Sequence, residues 1–225
     1  MSESVESLKR VVAGDFEYFR NWYDFSFSVE KYLSEREMEK VFSVYRREVF
    51  DILVKSECNK TAFRRRLLAM FNLSDSVDYE VDTEIVRLAV TKKELLVRTM
   101  KVAGAIFFHM DIVKIIGKKA LGELINFIGQ DTYTFIVKRG MMLWKIVPEL
   151  HVTVTKSPIV ERIAAAGKLI LCRALVGLPI EVKKRLELIF GERFDIPERC
   201  DEPLARKCFS LIQFSMKRVS GEGGR

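Results

Sequence analysis

The chain has 225 residues, 48% of them apolar and 31% charged, with five prolines and four cysteines. That composition supplies one or two cored domains and excludes a disordered chain, a collagen-like repeat and a disulfide scaffold. The 38 Lys and Arg exceed the 31 Asp and Glu by seven, and residues 101–225 carry the whole excess, with 21 basic and 13 acidic side chains against 17 and 18 in residues 1–100.

The opening stretch, MSESVESLKRVVAG, has no apolar run of signal-peptide length, and Cys58, Cys172, Cys200 and Cys208 show no C-x-x-C spacing. Both point to a reducing, cytoplasmic setting. The most hydrophobic windows, 102–116 and 163–178, hold His109, Asp111 and Lys114 in the first and Lys168 and Arg173 in the second. A charge near the centre of a spanning helix costs about 2.5–3.5 kcal/mol, so both windows read as buried helices of a soluble protein.

The aromatic run FEYFRNWYDFSF at 16–27 sits among balanced charges and reads as an anchor onto another part of the protein or onto a protein partner. No proline precedes Pro148, so long helices are permitted before it. Ser34-Glu35-Arg36-Glu37 has capping-box spacing. Behind it Met38, Val41, Phe42, Tyr45, Val49, Ile52 and Leu53 share one face, which predicts a single amphipathic helix from about 35 to 55. Thr91-Lys92-Lys93-Glu94 is a second box, leading into Leu95, Leu96, Val102, Ala103, Ile106 and Phe107. Asp111 is placed to cap a short helix interrupted near Gly117, and a stripe through Ala120, Leu121, Leu124, Ile125 and Ile128 stops at Gly129. Asp131 then caps a helix running to about Trp144.

Residues 147–156, VPELHVTVTK, alternate Val and Thr between prolines and read as a connector. Ser157-Pro158 restarts a helix that runs to about Val176 and stops at Gly177, Pro179 starts one ending at Gly191, and Pro203 starts the last. The expected fold is all-α, with about nine helices and room for one short extended pair. Its expected layout is a helical region over 1–146, the connector 147–156, a C-terminal helical subdomain over 157–219 and a disordered tail over 220–225, or a single domain overall.

No motif assigns chemistry. His109 and His151 have no second ligand at metal spacing, Cys200 and Cys208 are eight apart, and neither a Walker loop nor a G-x-G-x-x-G turn occurs. No catalytic, cofactor-binding or metal residue is therefore assigned, and partner-binding residues are not readable. The basic clusters Arg64-Arg65-Arg66, Lys118-Lys119, Lys138-Arg139 and Lys183-Lys184-Arg185 each belong to an amphipathic helix and read as solvated faces. The alternative reading is a basic helical nucleic-acid-binding regulator, whose affinity would fall steeply with salt.

Three stretches together resemble one known family. Trp22-Tyr23-Asp24-Phe25-Ser26-Phe27-Ser28-Val29-Glu30-Lys31-Tyr32-Leu33 is similar to that family's aromatic entry segment closing on a tyrosine. After that tyrosine the family tends to have His-Pro, where this chain has Leu33-Ser34. Leu121-Gly122-Glu123-Leu124-Ile125-Asn126-Phe127-Ile128-Gly129-Gln130-Asp131-Thr132-Tyr133-Thr134-Phe135 resembles its leucine-rich helix, glycine stop and aromatic pair. Gly167-Lys168-Leu169-Ile170-Leu171, then Gly177-Leu178-Pro179 and Val182-Lys183-Lys184-Arg185-Leu186-Glu187-Leu188, is similar to its closing helices joined at Leu-Pro. The family is the K component of the bacterial type III secretion sorting platform, the SctK family, and the resemblance implies a non-catalytic, cytoplasmic adaptor without cofactor or small-molecule substrate. Its implied partners are the cytosolic domain of the inner-membrane ring, the Q-type pod component and, indirectly, the ATPase and its stator. It would lie at the bacterial inner membrane through those proteins, with no insertion of its own, and nucleic acid is not among the implied partners.

Overall fold

The computed structural model describes residues 12, 14–56, 58–77, 79–144, 150, 157–199 and 201–221. Twelve α-helices run in chain order, and no strand occurs among the described residues. They are α1 (Phe16–Phe27), α2 (Glu35–Val44), α3 (Arg47–Lys55), α4 (Lys60–Met70), α5 (Glu84–Ala89), α6 (Lys93–Phe107), α7 (His109–Ile112), α8 (Lys118–Ile128), α9 (Gln130–Trp144), α10 (Ile159–Ala174), α11 (Ile180–Phe190) and α12 (Glu202–Ser220). The all-α expectation holds, with twelve α-helices among the described residues in place of about nine. Apart from Leu150, the expected connector 147–156 lies outside the described residues, as does the tail beyond Gly221.

The chain forms two compact units, one of residues 1–92 with 178–194 and the other of 93–177 with 195–225. In the first, the expected single helix 35–55 is two, because Tyr45 and Arg46 are both extended. The break resets the helical phase. Val49 and Ile52, assigned to the inner face, are exposed, Ile52 by 66%, and Phe50 turns inward instead. Phe50 meets Phe42 and Phe63 edge-on, each with ring centroids 5.5 Å apart, in a core completed by Val41 and Leu67. A second cluster, Val29, Leu68 and Leu73, takes Leu188 of α11 against it.

The capping box at Ser34 does not form. Ser34 is the N-cap residue of α2, but its hydroxyl makes no cap bond. It is buried under Gly191, where an added Cβ would lie 2.6 Å from Ser34 Oγ, and its backbone N–H donates to Leu188 O at 3.1 Å. Thr91 instead closes the preceding helix, its hydroxyl donating to Arg87 O at 3.2 Å, and α6 starts at Lys93. Asp111 lies inside α7 and pairs with Arg162. Gly129, with φ +88°, precedes α9, which leaves Asp131 within its first turn. At α10 the cap position is Pro158 itself, one residue later than expected, and the helix ends at Ala174.

In the second unit α6, α10 and α12 pack on one another, with α9 against α6 and α7. Their apolar faces supply the fully buried Leu96, Ile106, Ile163, Ile170 and Leu171. The α6–α10 contact is backbone to backbone: a Cβ on Gly104 would collide with Ile163 O, and one on Gly167 with Met100 O.

His109 is buried in this unit with its ring against Gly140, and its Nδ1 has no partner among the described residues. Burial disfavours the imidazolium and pulls the ring below its usual value of 6.5. The unfolded chain therefore binds a proton that the folded chain resists, so stability is complete above about pH 6.5 and declines as pH falls below it. Urea titrations across that range should show this decline in the wild type and a flatter profile in His109→Phe. An equal slope in both would assign the pH dependence elsewhere.

Candidate docking site

The described residues bring no three His, Cys, Asp or Glu side chains together as metal ligands. Cys172 and Cys208 are buried on α10 and α12, and Cys58 is exposed between α3 and α4; Cys200 and His151 lie outside the described residues. The first unit does contain a shaped concavity, an open cleft of about 320 Å³ lined by Tyr23 and Phe27 of α1, Thr61, Arg64, Arg65 and Leu68 of α4, and Asp75.

Helix α1 makes one wall of it. Asp15 caps the helix by accepting from Tyr18 N–H at 2.9 Å, which with Arg87 holds its carboxyl below the usual carboxylate range. Tyr18, Trp22 and Phe25, three and four residues apart, turn inward. The Tyr18 hydroxyl donates to Val81 O, the Arg87 guanidinium lies 4.2 Å over its ring, and burial pushes the phenol well above its ordinary value. On the outer side of the helix Tyr23 and Phe27 pack with centroids 5.2 Å apart, and Trp22 meets Phe27 edge-on at 5.8 Å. The aromatic run is thus both a core anchor and an exposed surface.

Helix α4 makes the facing wall, and its three arginines differ. Arg64 is largely buried, and its Nε and Nη2 both donate to Oε1 of the buried Glu30, at 2.8 and 2.6 Å. That pair fixes the wall in place. Arg65 is exposed and only loosely paired with Asp75, at 3.6 Å, and Arg66 is exposed too. Arg65 can leave Asp75 for an incoming carboxylate at little cost, because exposed pairs of this kind are worth about 0–1 kcal/mol. Two aromatic rings, an anchored arginine and a loosely paired one are residue types enriched in protein interfaces. The cleft suits a peptide segment that offers an apolar side chain to Tyr23 and Phe27 and an acidic one to Arg65.

The expectation of solvated basic faces holds for Lys118, Lys119, Lys138 and Arg139, which are exposed, and fails for Arg64 and Arg185. Arg185 is 2% exposed. Its guanidinium donates to Ser26 O at 3.1 Å, Ser74 O at 2.8 Å and Glu181 Oε2 at 3.3 Å, joining α11 to the end of α1 and to the 72–74 loop. Burial alone would raise Glu181, but the Lys184 ammonium at 2.9 Å, the Ser74 N–H at 3.2 Å and Arg185 outweigh it and hold the carboxyl below its ordinary value. Sequence cannot separate a buried arginine from a solvated one when its acceptors are distant backbone carbonyls.

The family model described as YOP proteins translocation protein K (YscK) matches residues 21–218, which span all but the first few residues of α1 and the last two of α12. That is the family of K proteins that the three sequence stretches resemble. No curated protein and no solved structure matches the chain.

Proposed function

We propose that this chain, which belongs to the YscK family of type III secretion proteins, is a non-catalytic adaptor joining the cytosolic face of the inner-membrane ring to the Q-type pod component. The family match over residues 21–218 is the observation that carries the reading. The family takes part in type III protein translocation alongside other secretion-system proteins and is not a known enzyme family. No helix among the described residues is long and apolar enough to cross a membrane, which suits contact with the ring through protein. The cleft of Tyr23, Phe27 and Arg65 supports the adaptor role by offering a protein segment an aromatic and cationic seat.

Deleting the gene should stop effector secretion and leave growth intact, and pull-down of the tagged protein should recover ring and pod components. Normal secretion by the deletion strain would sink the reading. Tyr23→Ala combined with Arg65→Glu should lower recovery of one of those components by about 30-fold, the size expected for loss of a hot spot, with an unchanged thermal melt. Wild-type recovery of both would remove the cleft from the interface while leaving the adaptor role open to the deletion test.

A further inference from the structure

The first unit contains 19 Lys and Arg against 20 Asp and Glu, the second 19 against 11, so the second carries a net +8. Part of that charge is gathered at one loop. From the end of α7 into the first turn of α8 the chain runs Lys114-Ile115-Ile116-Gly117-Lys118-Lys119. Ile116 is 94% exposed, and Val113 and Met110, just before it, are 43% and 40% exposed. Lys114, Lys118 and Lys119 are all exposed. The ion pairs described in this unit, Arg162 with Asp111 and Arg206 with Glu202, involve none of them.

Folding does not account for this arrangement. The first turn of α8 holds two lysines, no acidic residue and no side-chain cap, although the helix dipole disfavours cations there. An isoleucine almost wholly in water contributes nothing to the core. The loop thus presents aliphatic side chains among cations, Ile116 and Val113 beside Lys114, Lys118 and Lys119.

The composition of that surface selects its occupant. Protein interfaces favour aromatics and arginine and are poor in lysine. Here lysine predominates and the exposed apolar side chains are Ile, Val and Met. A layer of anionic headgroups needs only point charges, which lysine supplies, and the apolar layer beneath accepts an isoleucine without a shaped pocket. We propose that the α7–α8 loop is a peripheral contact for an anionic lipid surface, with Lys114, Lys118 and Lys119 against headgroup phosphates and Ile116 at the acyl boundary. This goes beyond the adaptor reading by adding a direct lipid contact to one expected through protein partners.

The test is co-sedimentation of the purified full-length protein with phosphatidylcholine vesicles with or without phosphatidylglycerol. Binding is expected only with phosphatidylglycerol and should weaken with salt. The triple variant Lys114→Gln, Lys118→Gln, Lys119→Gln should bind about 100-fold more weakly, at roughly fivefold per lysine. Ile116→Ser should cost about tenfold. Thermal melts of both variants should match the wild type, since all four side chains are exposed. Failure to bind phosphatidylglycerol vesicles, equal binding to neutral ones, or unchanged binding by the triple variant overturns the proposal. So does retention of duplex DNA or a polyglutamate peptide by the same lysines without vesicle binding. Recovery of ring and pod components is read in a separate assay, so failure here and failure of the adaptor reading are distinguishable.

Discussion

Gly104→Ala or Gly167→Ala should destabilise the second unit by about 3 kcal/mol, an overpacking cost of the usual size. Helix propensity alone gives the opposite sign, since alanine is favoured over glycine inside a helix by about 1 kcal/mol. The backbone crossing decides it. A Cβ on Gly104 would also stand 3.0 Å from Gly167 N, and one on Gly167 would stand 2.7 Å from Met100 C. These are main-chain atoms, so α6 and α10 must move apart and their buried faces lose contact along the crossing. Gly122 supplies the control, because it lies within α8 and an added Cβ there meets nothing within 4 Å. Gly122→Ala should stabilise by about 0.5–1 kcal/mol. The double variant at 104 and 167 should cost less than the sum of the two, since one separation relieves both contacts. Urea unfolding measures all four. Stabilisation by either crossing variant would mean that the helices do not meet through these glycines.

Arg185→Met should cost the first unit about 3–5 kcal/mol, the range for removing one partner of a buried charged pair. The carbonyls of Ser26 and Ser74 lose their donor, and Glu181 keeps only Lys184 and the Ser74 N–H. Arg185→Lys should recover little, because an ammonium cannot reproduce the planar fork that reaches both carbonyls and the carboxylate. Lys183→Met, from the same basic cluster and half-buried, should change stability far less, by less than about 0.5 kcal/mol. Equal behaviour of the 183 and 185 variants in denaturant titration would remove the buried role of Arg185.

Local rules served well where a helix ends against water or restarts after proline. Gly129 and Gly191 have positive φ and are the C-cap residues where helix stops are expected, α10 ends at Ala174, short of its expected stop at Gly177, and Pro179 and Pro203 mark helix starts. They served less well where a side chain had two possible partners. Ser34 and Thr91 have the spacing of capping boxes, yet one is buried against Gly191 and the other bonds to the helix before it. The 35–55 stripe misled for a related reason. Periodicity over seven apolar positions cannot reveal two extended residues at its middle, because the energy that sustains the break comes from Phe63, distant in sequence. Of the cleft, only its aromatic wall is legible in the sequence, as an anchor onto another part of the protein or onto a protein partner. Its other wall reads in sequence as a solvated basic face, since nothing local links Arg64 to Glu30, 34 residues away.

The assignment of residues 178–194 to the same unit as residues 1–92 has a consequence for how the protein is made. A ribosome delivers the chain from one end at about 5–20 residues per second, so the first unit stays without α11 and its arginine until most of the polypeptide has emerged. The second unit waits longer still, for α12. Neither unit corresponds to a continuous gene segment, and a premature stop after α10 releases a product in which both are incomplete. Nascent chains should therefore remain protease-sensitive until late in synthesis and then gain protection in two closely spaced steps.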